Sequence, residues 1–495
     1  MENWAELQRT LEEWAASGHA EVREDGEWLA ELATLHCEIR FDGKSPLLHL
    51  WSDDRNLTRR VLGVKERSGN SVTLEVQRFG RSKPGRLEFV RTDAPRAASR
   101  VTREQFRARL RRILAERFPD ATVDALISSA DLKRSFSGVY VRGRMHEGAR
   151  AWALMAVSPS ESSAAVEGIL AFGILWLDAT RNQSDKRAVE GLRLFVPKGA
   201  VRHLRARLLG LSSSARTEIY ELDESAGEVR KVEVADAGNL ESWLMPRSEA
   251  ESAVAAAQGA AARVRQMIHE ANEAIELRAA LEPGEAQFCF RGLAFARYAR
   301  GEIFFGLGDA RERLAASNQA AFERLLRSLD LHRSPLAEET NHAMYRAAPE
   351  RWLETLVLAD PSRIDASLDP AHLYSQVPAL EAGDRGVLDL LGVTRRGRLV
   401  VIELKASEDI QLPLQAVDYW QRVRRHQNQG NFERFGYFAG KQLDPAPPLV
   451  WLVTPGLRFH PSADILLKYL APEIRVTRIG INENWRRGVK VVLRQ

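Results

Sequence analysis

The stretch WAELQRTLEEWAAS repeats its apolar positions at helical spacing, which predicts an amino-terminal helix. The pattern then shortens to β-type runs: TLHCEIRF, PLLHLWS, RRVLGVKE, SVTLEVQRF and GRLEFVR. The turn signals FDGKSP and RSGNS separate them. A polar link, TDAPRAAS at 92–99, precedes a helical pattern that starts at Thr102 and runs through REQFRARLRRILAERF. From 248 to about 281 the chain is rich in Ala, Glu and Arg, with no Pro and one Gly, which predicts one long helix. AQFCFRGLAFARY and GEIFFGLG then read as two strands, followed by a helix from Asp309. GLGD at 306–309 lacks the third glycine and the GK[ST] ending of a phosphate loop, so Asp309 is read as a helix N-cap.

Towards the carboxy terminus the pattern is sharper. PERWLETLV (349–357) opens with Pro349 in a first-turn position. It sets Glu350 and Glu354 on one face and turns Leu353, Leu356 and Val357 towards a core. GVLDLLGV and RLVVIELKA are apolar strands around the turn signal TRRG, a hairpin. LPLQAVDYWQRVRR (412–425) is a helix with Gln415, Tyr419 and Arg422 on one stripe and Val417, Trp420 and Val423 on another. The expected fold class is multidomain α/β. A small β-rich domain, with a barrel as one form open to it, covers 1–95, and an α/β domain covers 101–245. The long helix covers 246–283, a β-hairpin plus helix connector 284–345, and a second α/β domain 346–495.

Composition narrows the class. With 495 residues, 44% hydrophobic and 28% charged, the chain has the make-up of an ordinary globular protein. The apolar run GILAFGILWL (168–177) is bounded by Glu167 and Asp178 and is shorter than the ~20 residues of a bilayer span, so no membrane partner is expected. The start, MENWAELQRT, has no signal pattern, and Cys37 and Cys289 support neither a disulfide framework nor a cysteine zinc site. A cytoplasmic location is expected. Net charge is +4, and residues 346–495 hold 21 Lys and Arg against 17 Asp and Glu, so the excess lies there and favours a polyanionic partner. Arg59, Arg60, Lys65, Arg67, Arg78 and Arg81 in the β-rich domain fit either a nucleic-acid face or solvated strand faces.

The chemistry concentrates in VVIELKAS (400–407). Side chains alternate along a strand, so Val401, Glu403 and Lys405 share one face. Burying an acid and an ammonium without purpose is costly. Pairing the hairpin across TRRG brings Asp389 towards Glu403, and two carboxylates with a lysine suit a hard divalent cation, Mg²⁺ or Mn²⁺. Lys405 would then orient or deprotonate a water, or neutralise charge on a phosphate. A half-buried ion pair closing a sheet edge would explain Glu403 and Lys405, but not Asp389 or Gln415.

Helix, hairpin and helix carrying Glu, G-x-x-D, E-x-K and Q-x-x-x-Y resemble the PD-(D/E)XK, or restriction-endonuclease-like, nuclease superfamily, in its RecB-like and EndoMS/NucS-like branches. The likeness covers about 349–495, and Leu388 stands where the first motif usually has proline. It implies a carboxy-terminal α/β/α nuclease domain with Asp389, Glu403, Lys405, Gln415 and Glu350 as catalytic residues. Metal would be held by Asp389, Glu403, Glu350 and the Leu404 carbonyl, and nucleic acid by Tyr419, Arg422, Arg424 and Arg425. A second D/E-x-K, Asp131–Leu132–Lys133, has no apolar strand or preceding hairpin and is read as surface.

The module also recurs without its chemistry. GARAWALMAVS (148–158) lies over GRLVVIELKAS (397–407), GVYV over GVLD, and LRLFVPKGAV over VWLVTPGLRF. On that alignment the site positions become Val141, Leu154 and Ala156, so 101–245 reads as a degenerate nuclease-like copy. The arrangement admits an intramolecular pseudodimer or a homodimer. The expected function is metal-dependent hydrolysis of phosphodiester bonds, in DNA first of all, in repair or in defence against foreign DNA. The alternative is a catalytically silent nucleic-acid-binding or scaffold protein built on a nuclease fold.

Overall fold

The computed structural model describes the chain except residues 1–3, 18–19, 25–26, 43–44, 52–55, 69–70, 79–83, 92–94, 130–135, 137, 184–187, 224–225, 234–241, 269–271, 281, 309–310, 379 and 382–386. Asp131, Lys133 and Asp309 therefore lie outside the described residues. The architecture is mixed α/β. Two compact units divide it: Met1–Arg100 with Pro246–Thr355, and Val101–Met245 with Leu356–Gln495.

The first unit opens with the helix Trp4–Ser17, whose Leu7, Leu11 and Trp14 pack with Val22, Leu48, Val61, Leu74 and Phe89 of a seven-stranded antiparallel sheet. Val72, Leu74 and Val76 are all buried on the strand Ser71–Arg78, the period-two pattern of a half-buried strand. The strands Glu27–Glu31 and His36–Asp42 form the two ends of the sheet order, so the β-rich region is a sheet with edges rather than a closed barrel among the described residues. Arg59 pairs with Glu24 at 2.7 Å, Lys65 with Glu75 at 2.8 Å and Arg67 with Glu6 at 3.0 Å. Neighbouring acids thus answer these cations, as on an ordinary strand face. The side chains of Arg78 and Arg81 are not described.

The rest of this unit corrects three expectations. The long helix spans Arg247–Gln266, and Ile275–Ala279 is a strand paired with Ala286–Phe290. Pairing with an apolar neighbour outweighs the weak helical preference of IELRA. AQFCFRGLAFARY is a hairpin, Ala286–Phe290 and Leu293–Ala299, turned at Arg291 and Gly292 with φ of 45° and 79°. A Cβ on Gly292 would lie 2.1 Å from the Arg351 carbonyl oxygen, so the turn requires glycine. The following helix is Gln319–His332 and does not start at Asp309.

The second unit contains two six-stranded sheets built on one plan. In its first half, α1 (Pro95–Arg117) precedes β1 (Thr122–Val123), β2 (Tyr140–Glu147) and β3 (Arg150–Val157). Then α2 (Ser163–Arg181) leads to β4 (Ala188–Pro197), α3 (Arg205–Leu209) to β5 (Thr217–Asp223), and β6 (Glu228–Val232) closes the half. The second half contains β7 (Leu368–Pro378), β8 (Val387–Thr394), β9 (Leu399–Leu404), α4 (Leu412–Asn428), β10 (Leu449–Pro455), α5 (Ala463–Lys468), β11 (Arg475–Ile481) and β12 (Val491–Arg494). Sheet orders are β1-β2-β3-β4-β5-β6 and β7-β8-β9-β10-β11-β12. Each has an antiparallel hairpin (β2–β3, β8–β9), then parallel strands reached through helices (β3–β4–β5, β9–β10–β11), and an antiparallel strand at each edge.

Apolar side chains explain the layering. Ala153, Met155 and Val157 of β3, with Leu192, Leu194 and Val196 of β4, pack under Ile174 and its neighbours on α2. Trp152, Leu154, Ala156 and Phe195 point to the opposite face and meet Phe106, Leu110 and Ile113 of α1. In the second half Val401 packs with Val423 of α4, and Val450 and Leu452 pack with Val417 and Trp420. The run 168–177 is thus the interior of α2, and no helix among the described residues is long and apolar enough to cross a membrane.

The two halves share one core and meet by exchange. Leu211, after α3, bridges Leu470, after α5; Ser212 N donates to Tyr469 O and Ala471 N to Gly210 O, each at 2.9 Å. Arg207 of α3 pairs with Asp418 of α4 at 2.7 Å, and Lys468 of α5 pairs with Asp178 of α2 at 3.1 Å. Each half thus offers its crossover helix to the short helix of the other, the reciprocal pattern of a two-fold contact.

Candidate active site

β8 and β9 pair with Leu390 opposite Ile402 and Leu391 opposite Val401. One further step puts Asp389 opposite Glu403, on the same face. There the ladder gives way, and the Leu404 N–H donates to Asp389 Oδ2 at 3.0 Å. Glu403 is only 3% exposed. The Lys405 ammonium lies 4.0 Å from a Glu403 oxygen and 3.5 Å from Asp409 Oδ2, so it offsets part of the charge that burial disfavours.

α4 covers this face. Because β9 and β10 are parallel, the helix between them runs back against the strand direction. Four helical residues advance about 6 Å, close to the ~6.6 Å of two strand residues. Val423 and Tyr419 share a core with Val401, and the Tyr419 phenol lies near the Glu403 and Asp389 carboxylates, so the spacing carries Gln415, one turn earlier, towards the Lys405 end of the strand. Burial above all, then the carboxylates of Glu403 and Asp389, push the Tyr419 phenol well above its usual range, so it remains a neutral donor. Gln415 Oε1 is buried without a hydrogen-bond partner among the described residues.

The arginines of α4 separate into different roles. Arg422 is buried, with its guanidinium 5.8 Å from the centre of the Tyr419 ring, so it forms part of the site wall. Arg424 donates to Gln427 Oε1 at 2.8 Å and to the Pro445 carbonyl at 2.9 Å, which braces the loop leading to β10. Arg425 lies half-buried in the last turn. His426 is buried and accepts from Asn431 Nδ2 at 2.9 Å. Burial first, then Arg425, holds its pKa down to about 4.

Glu350 lies half-buried in the first turn of the helix Pro349–Ala359, in the first compact unit. Its companion Glu354 does not lie on a polar face. It is fully buried between Arg278, with which it makes a close ion pair, and Arg351 at 2.7 Å. Sequence spacing could not find that arrangement, because Arg278 comes from a distant strand. Among the described residues no group of three or more His, Cys, Asp and Glu side chains could hold a metal ion, so the described site offers two carboxylates, Asp389 and Glu403. Oxygen donors alone suit a hard cation such as Mg²⁺ or Mn²⁺, which commonly uses one or two carboxylates.

The matching strands of the first half correct the alignment by one residue. Glu403 lies under α4, so its counterpart must lie under α2, and Leu154 instead faces α1. Met155 satisfies this requirement, and its hairpin partner is Arg142. The positions of Asp389, Glu403 and Lys405 are thus held by Arg142, Met155 and Val157, rather than by Val141, Leu154 and Ala156. The shift arises because the β2–β3 turn is shorter than the β8–β9 turn. Arg142 is buried, 5.0 Å from the Phe136 ring centre and 5.8 Å from that of Trp176. A cation stacked there opposes a metal ion at the same place. No protein-family model matches the chain, and no curated protein is similar to it at a significant level.

Proposed function

We propose that the chain is a metal-dependent nuclease acting on DNA, with a restriction-endonuclease-like α/β/α fold in its carboxy-terminal half and a catalytically silent copy of that fold at 101–245. The supporting observation is the opposed pair of half-buried Asp389 and buried Glu403, whose carboxylates act on the Tyr419 phenol above them, set against Arg142 and Met155 on the same strands of the other half. Asp389, Glu403 and the Leu404 carbonyl would hold Mg²⁺ or Mn²⁺. When bound, that ion supplies Lewis-acid stabilisation of charge on a phosphate. The Leu404 N–H orients the Asp389 carboxylate through its Oδ2. Lys405 orients the attacking water or neutralises charge that develops on the phosphate, and Asp409 limits where its ammonium can go. Tyr419, a neutral phenol, donates to a phosphate oxygen and returns no negative charge to the site.

The experiment is a cleavage panel. The purified chain is incubated with Mn²⁺ or Mg²⁺ and single-stranded, duplex and mismatched DNA, with RNA alongside. Cleavage of a DNA substrate that EDTA abolishes and Ca²⁺ does not restore is the expected result. Full cleavage in EDTA would contradict the metal assignment. Cleavage of RNA alone would contradict the substrate.

A further inference from the structure

Thr454 is buried completely, yet its hydroxyl has no hydrogen-bond partner among the described residues. Unpartnered buried hydroxyls are rare and point to a water or ligand that completes them. Its place in the sheet is specific. β9 and β10 pair in parallel with Glu403 beside Leu452, and the Lys405 N–H donates to Val453 O at 3.0 Å, so Thr454 stands beside Lys405 on the face covered by α4. Gln415, one turn before Tyr419 on α4, lies towards the same level, and its Oε1 is also buried without a hydrogen-bond partner among the described residues.

The first half supplies an independent comparison. Met155 pairs with Leu194 as Glu403 pairs with Leu452, which sets Val196 at the place of Thr454 and Pro197 at that of Pro455. Valine has the shape of threonine without the hydroxyl. Packing alone is therefore satisfied by valine here, and the hydroxyl occurs where Asp389, Glu403 and Lys405 also occur.

We infer that Thr454 is a further positioning residue of the site, whose hydroxyl, with Gln415, holds a water beside the Lys405 ammonium. This rests on the nuclease reading above. The water has three polar neighbours within one level of the sheet, the number an ordered buried water usually needs. Thr454 does not contact the reacting phosphorus. It fixes the place from which Lys405 and the water act, so it bears on turnover more than on substrate affinity.

Thr454→Val and Thr454→Ser test the role in the full chain, with cleavage kinetics in Mn²⁺ and thermal melting with and without Mn²⁺. In the valine variant kcat falls at least tenfold with KM within about threefold of wild type, because a misplaced group near the chemistry costs rate. Its melting temperature without metal stays equal or rises, because no bond inside the fold is lost. The serine variant recovers most of kcat, and the Mn²⁺-induced rise in melting temperature persists in both. Wild-type kcat in Thr454→Val would overturn the inference. A melting temperature several degrees lower would overturn it too, since the hydroxyl would then be bonded within the fold. Absence of cleavage by the wild type on every substrate would instead sink the nuclease reading, and this role with it; the metal-free melting curve distinguishes that case from a structural hydroxyl.

Discussion

Where β9 carries Glu403 beneath Tyr419, β3 carries Met155 beneath α2, and where Asp389 stands across one hairpin, Arg142 stands across the other. The strand plan, the crossover helices and the strand ending in proline are common to both halves. The shared features build a core. The face of β8–β10 under α4 in the second half bears charge and the Thr454 hydroxyl, which a core alone does not require, whereas its counterpart bears Met155, Val157, Val196 and one stacked guanidinium. Apolar replacements of similar volume keep such a layer packed. The contrast singles out Asp389, Glu403, Lys405 and Thr454 as polar groups that packing alone does not require.

The largest effects should come from removing that polarity. Asp389→Ala, Glu403→Ala and Lys405→Ala should each lower cleavage by roughly 10²–10⁴-fold while the fold survives. Met155→Leu, at the matching place, should leave cleavage within about twofold of wild type. Near wild-type cleavage in any of the first three, measured on the best substrate in Mn²⁺, would remove that residue from the site.

The contact between the halves gives the next comparison. Burial works against the Arg207 charge, but the Asp418 carboxylate outweighs it and holds the guanidinium above its usual pKa. Asp418→Ala should therefore cost about 3–5 kcal/mol of stability in denaturant titration, because it leaves a buried charge unanswered. Arg207→Met with Asp418→Leu should restore most of it. The reciprocal pair is different: the Lys468 side chain is 65% exposed, and the buried Asp178 keeps hydrogen bonds from Asn182 Nδ2 and the Tyr469 hydroxyl, so Lys468→Ala should change little. Equal losses at the two pairs would show that burial does not separate them.

A smaller effect concerns acid. His426 is held neutral in the fold with a pKa of about 4, below the ~6.5 of an unfolded chain, and α2 carries no histidine. The unfolded state therefore takes up the proton first, so stability is complete above pH ~6.5 and is lost as pH falls towards 4. His342, also held near 4 chiefly by burial, adds to the same window from the first unit. His426→Gln should flatten the melting curve against pH between 6.5 and 4, and an unchanged slope would contradict the assignment. Least of all, Asp131→Ala and Lys133→Ala should leave cleavage untouched, since D-L-K there has no strand or hairpin around it in the sequence.

The hairpin and its helix were readable because alternation and turn chemistry act locally. Strand parity put Asp389, Glu403 and Lys405 together and helical spacing put Gln415 and Tyr419 on one stripe, while only the resemblance gave those two a place in a site. The one-residue shift in the first half was not readable, because two strands of similar composition tolerate either register and only the layer above decides. Glu354 had the spacing of a surface residue and took its fate from Arg278, which only the fold brings near. The strand at 275–279 was concealed by an Ala-rich neighbour, and Thr454 by its place in an otherwise apolar strand.

Mn²⁺ binding by isothermal titration tests the central claim most directly, because it does not depend on knowing the substrate. The account predicts one class of Mn²⁺ site per chain, lost in Asp389→Ala and Glu403→Ala and retained in Met155→Leu. Binding that survives both carboxylate substitutions, or is absent from the wild type, would contradict it.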